Sequence, residues 1–142
     1  MTRMLLPILI CAALASCATH GKLSTLPKLE DLTNACDVYV IRKSTIAGAA
    51  LGYTVAMDHQ DFVVLASGDY TKTKVAFGNH VVTAKYPRQM FLGTAETSLD
   101  FDCKASKNIY IFMWPVLSVN LEILSDEKGA ELVRKSNYID LK

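Results

Sequence analysis

The sequence predicts an all-β fold, mainly antiparallel, closed by one short C-terminal helix. Three observations carry this. Short apolar segments recur with a period of two from Cys36 onward, turn-forming residues punctuate them at about one strand's length, and a helix-like charge order is confined to the stretch after Ser125.

The strands are expected near residues 36–43, 52–57, 62–66, 69–75, 79–86, 91–103, 107–114 and 117–124. In the first, Cys36, Val38 and Val40 share a face. The second and third, Tyr53-Thr54-Val55-Ala56-Met57 and Phe62-Val63-Val64-Leu65, flank a polar turn, Asp58-His59-Gln60-Asp61, read as solvated. Ser67-Gly68-Asp69 and Gly78-Asn79 supply residues that tolerate positive φ and so bound the next two. In Ser98-Leu99-Asp100-Phe101-Asp102-Cys103 the apolar Leu99, Phe101 and Cys103 face one way and the two aspartates the other. Gly48-Ala49-Ala50-Leu51-Gly52 matches GxxxG but lies in too short an apolar stretch for a membrane helix, and it reads as a flexible loop. Ser125 is placed to cap a helix over 126–135 with acids in its first turn and bases in its last, weakened by Gly129 by nearly 1 kcal/mol relative to Ala.

The N-terminus has a different character. Behind Arg3 runs an uncharged apolar stretch from Met4 to Leu14, about half of the roughly 20 residues that cross a bilayer, followed by small residues. Residues 1–16 read as an export signal and 18–34, lacking periodicity, as a tether. Leu14-Ala15-Ser16-Cys17 resembles the bacterial lipobox, which implies cleavage before Cys17 and a diacylglyceryl group on its thiol. Two or more acyl chains at about 0.8 kcal/mol per buried CH₂ give stable attachment. That resemblance, with Ala18 next, implies an outer-membrane lipoprotein facing the periplasm. The remaining residues 35–142 are long enough for one domain with a core.

Fifteen basic side chains stand against fourteen acidic ones, and Arg3 falls in the signal, so the mature chain is balanced. Nothing in that balance favours nucleic acid. Cys36 and Cys103 remain after cleavage besides Cys17, both on apolar faces, and an oxidising compartment favours their pairing over two separate buried thiols. No CxxC or HxxxH spacing suggests a metal, and no cofactor is expected.

Across residues 35–138 the chain is similar to the domain-of-unknown-function 2846 family. The resemblance rests on Val38-Tyr39-Val40-Ile41-Arg42, Met57-Asp58-His59-Gln60, Leu65-Ala66-Ser67-Gly68-Asp69-Tyr70, Phe77-Gly78-Asn79-His80-Val81, Ser106-Lys107-Asn108-Ile109-Tyr110-Ile111 and Leu121 to Gly129, in that order. It implies an immunoglobulin-like β-sandwich with no known catalytic residue.

The sequence therefore predicts a non-catalytic binding or structural module of the bacterial envelope, held to the membrane by lipid. The competing reading is a hydrolase or ligand-processing enzyme using His80 or His59. No GxSxG, P-loop or dinucleotide fingerprint accompanies these histidines, and a ring packed at a strand edge is the plainer expectation for His80. Between Ile109 and Pro115 both faces of a strand are apolar. Either the C-terminal helix, through Ala130, Leu132 and Val133, or another strand covers Tyr110, Phe112 and Trp114, or those aromatics form a patch that docks an envelope protein.

Overall fold

The computed structural model describes residues 20–46, 48–87, 96–105, 107–115 and 118–142. In chain order these form β1 (Gly21–Lys22), β2 (Ala35–Arg42), β3 (Tyr53–Met57), β4 (Gln60–Leu65), β5 (Asp69–Ala76), β6 (Gly78–Lys85), β7 (Glu96–Cys103), β8 (Asn108–Pro115), β9 (Val119–Leu124), α1 (Asp126–Arg134) and β10 (Asn137–Tyr138). Two five-stranded sheets result, ordered β1-β4-β3-β6-β7 and β10-β5-β2-β8-β9. Pairing is antiparallel except that β2 runs alongside β8 and β10 alongside β5. The molecule is an all-β sandwich with one helix, as the alternation predicts.

Period two explains the packing. Cys36, Val38 and Val40 of β2 and Ile109, Ile111 and Met113 of β8 point between the sheets, where they meet Tyr53, Val55, Val82, Ala84 and Phe101. Each such side chain contributes about 1.5–3 kcal/mol by leaving water. The other face of β8 needs a second cover, and α1 supplies it: Ile41, Tyr110 and Leu124 are buried beneath Ala130, Leu132 and Val133. The acids Asp126 and Glu127 open this helix and Arg134 closes it, but the Ser125 side chain makes no cap bond. Its carbonyl accepts the Gly129 N–H at 2.8 Å instead.

The β3–β4 turn is tighter than the four residues expected. Asp58 and His59 take φ of 49° and 68°, the paired left-handed geometry of a two-residue hairpin, and Gln60 and Asp61 belong to β4.

The described part of the stretch read as a tether, residues 20–34, is bonded to the sheet. Gly21 and Lys22 pair with Val64 and Val63, the Leu23 N–H donates to Phe62 O at 2.8 Å, and Ser24 Oγ donates to Asp61 O at 2.6 Å. Leu26 packs against the core. Two paired residues followed by backbone bonds leave no periodicity for a pattern search to detect. The strap formed by 20–34 crosses from the edge of one sheet to the start of β2 in the other.

Strand directions sort the connections to two ends. At the disulfide end lie the start of β2, the β3–β4 turn, the β5–β6 corner and the β7–β8 connection. The opposite, arginine end carries the end of β2 at Arg42 and the connections β2–β3, β4–β5, β6–β7 and β8–β9.

Candidate functional site

At the disulfide end, Cys36 of β2 and Cys103 of β7 join the two sheets through a disulfide with Cα atoms 5.9 Å apart. Both residues are buried. Close by, the β3–β4 turn meets the start of β6. Asp58 Oδ1 accepts the Val81 N–H at 3.0 Å, and Asp58 Oδ2 lies 2.7 Å from His80 Nδ1. The other ring nitrogen, Nε2, is 2.8 Å from Ala76 O. Both neighbours are hydrogen-bond acceptors for the ring. The ring also leans on Phe101, with centroids 5.7 Å apart.

Asp58, expected to be solvated in this turn, is exposed and is also an acceptor that ties the turn to β6. His59 is exposed beside it. A hollow of about 190 Å³ opens between this pair and the strap, walled by Leu26, Pro27, Leu29 and Met57, with Gln60 and Lys74 at its polar side. It has the apolar walls and few polar groups of a small-ligand site. Among the described residues, His80 bonds a carboxylate and a carbonyl rather than a nucleophile, and no group of His, Cys, Asp and Glu is spaced to hold a metal.

On the outer face above, Asp37 lies 2.8 Å from Lys74 and 3.3 Å from Lys72. Burial works to raise its pKa, but hydrogen bonds from the two ammonium groups outweigh it and hold the carboxyl below its ordinary value. On the strap, the Thr33 hydroxyl and N–H, with Asn34, bring exposed Asp31 down to about 2.

The aromatic residues of β8 divide. Tyr110 is 5% exposed, stacked on Tyr39 at 4.8 Å and covered by α1, so it cannot serve in a docking patch. Phe112 and Trp114 are half-buried, with ring centroids 5.8 Å apart. Cys17 and the signal stretch lie outside the described residues, as do 91–95 of the strand expected from residue 91.

Arg42 went unremarked as a chemical group, although the alternation that turns Cys36, Val38 and Val40 inward also turns Arg42 inward. It is fully buried at the arginine end. Its guanidinium donates to Leu65 O at 2.7 Å, to Gly48 O at 2.9 Å and to Leu51 O, and it lies 4.2 Å above the Tyr53 ring. Burial pulls its basicity below the ordinary value, while Tyr53 and Asp69 act the other way. The stretch from Gly48 to Gly52, expected to be a flexible loop, is therefore held at two carbonyls by a buried cation.

Neither a scan against protein-family models nor a search of curated proteins found a match to this chain.

Proposed function

We propose that the chain is a lipid-anchored module of the bacterial cell envelope, attached through acylated Cys17, facing the periplasm from the outer membrane, and acting by binding or by structural support rather than by catalysis. The observation that carries this reading is the buried disulfide between the sheets, since such bridges persist in oxidising compartments. The Leu-Ala-Ser-Cys stretch supplies the attachment point, and the resemblance to the domain-of-unknown-function 2846 family belongs to the same reading. A protein partner would meet half-buried Phe112 and Trp114, the part of the aromatic face that α1 leaves open.

The Asp58–His80 pair beside a hollow favours a second reading, a hydrolase with His80 as base. Against it stands Nε2, which is bonded to Ala76 O rather than to a nucleophile.

Intact mass of the protein extracted from bacterial membranes tests the first reading. A chain that starts at Cys17 with two or three acyl groups, and whose Cys36 and Cys103 alkylate only after reduction, is expected. A chain retaining residues 1–16, or a bare Cys17, would overturn it.

A further inference from the structure

We propose that the arginine end of the sandwich is a membrane-docking surface, with Ile46 seated in the lipid bilayer that holds the anchor. The proposal deepens the anchored-module reading and takes from it the acyl group on Cys17.

Chain direction is the first support. Gly21 pairs with Val64 and Lys22 with Val63, so the residues before Gly21 leave the sheet past Leu65, at the arginine end. Four residues separate Cys17 from Gly21, which is at most about 14 Å of extended chain. A strap free through residue 34 would instead reach about 60 Å. With β1 paired, the lipid therefore holds this one end against the bilayer.

The second support is what that end presents. Ile46 is 99% exposed, the most exposed of the large apolar side chains described. Its exposure is built, not slack. The Ala49 N–H donates to Ile46 O at 3.2 Å, Thr45 N–H and O both bond Ser67 Oγ, and Arg42 holds the carbonyls of Gly48 and Leu51. A supported loop that holds an isoleucine fully in water marks an interaction site more than a packing accident.

Charge points to the same occupant. In sequence, the connections 43–52 and 66–68 at this end contain no Asp or Glu, and of the carboxylates that open the adjoining strands Asp69 is buried and accepts the Ala66 N–H while Glu96 is exposed. The loop carries exposed Lys43, and exposed Lys22 stands on the neighbouring strap. The disulfide end and the strap running to it hold Glu30, Asp31 and Asp58. Basic residues around an apolar tip suit the anionic headgroup layer of a bilayer.

The test places a reporter at each end of the full chain, I46W and F77W, Phe77 being 42% exposed at the disulfide end. Membrane-extracted protein is reconstituted into phosphatidylethanolamine–phosphatidylglycerol vesicles with and without brominated acyl chains, and the wild-type signal from Trp114 is subtracted. Insertion to about 5–10 Å predicts that bromination removes about half or more of the emission added by I46W and leaves that of F77W unchanged. Intact mass of the same samples separates the two readings. An acylated chain whose I46W is quenched no more than F77W overturns the docking surface while the anchor stands. Selective quenching of I46W without acylation upholds the surface and sinks the anchor; no acylation and no selective quenching sinks both.

Discussion

At the scale of single residues, Arg42 shows how a charge is kept inside an apolar sandwich. A guanidinium taken from water is costly unless its N–H groups are used, and here Nη1 and Nη2 meet three backbone carbonyls and the group lies over an aromatic face, while the buried Nε has no partner among the described residues. Those carbonyls depend on it in turn, because an orphaned buried acceptor costs about 1–3 kcal/mol. Arg42→Met is accordingly expected to lower stability by about 3 kcal/mol or more in urea unfolding. Arg42→Lys should recover less than half of that, since one ammonium cannot span carbonyls arranged for a planar fork. Equal stability of the methionine variant and the wild type would show that the loop 43–52 holds itself.

Among the elements, α1 depends on the absence of one side chain. A Cβ at Gly129 would stand 2.1 Å from Tyr110 Cγ, so the helix approaches β8 as closely as it does because that position is bare. Gly129→Ala gains about 1 kcal/mol of helix propensity and loses more to overpacking, about 1–3 kcal/mol, so the melting temperature should fall. In a Tyr110→Leu background the same change should cost nothing or stabilise. A fall of equal size in both backgrounds would place the conflict elsewhere. These elements also mark what the sequence could convey. Long strands such as β2 and β8 were legible because alternation over eight residues leaves a clear apolar face, and the helix because its charges follow the dipole. β1 and β10 span two residues each and are held by backbone bonds that any side chain permits, so no pattern revealed them. At the candidate site, His80 was visible as a residue, but its union with Asp58 depends on β3 pairing with β6, which no local spacing encodes.

For the molecule as a whole, Cys36 and Cys103 close a loop of 67 residues and tie one sheet to the other. In the chain-entropy view such a loop contributes about 4 kcal/mol by restricting the unfolded chain. Replacing both cysteines by alanine should reduce unfolding free energy by up to about 4 kcal/mol and make the urea midpoint insensitive to reductant, whereas the wild type shifts on reduction. A wild-type midpoint that reductant leaves unmoved would deny the bridge its role.

The parallel pairing of β2 with β8 has one more consequence, for the way the molecule comes into being. Val40 lies beside Thr71 on one side and Ile111 on the other, so the middle of its sheet is assembled from segments about thirty and seventy positions apart along the chain. Proteins dominated by such distant pairings fold in milliseconds to seconds rather than microseconds, because the closure of large loops precedes the contacts that reward it. A nascent chain that stops short of β8 leaves β2 with an open edge in the centre of its sheet. The first hundred residues therefore have no finished core to collapse around, and folding awaits the arrival of the last third.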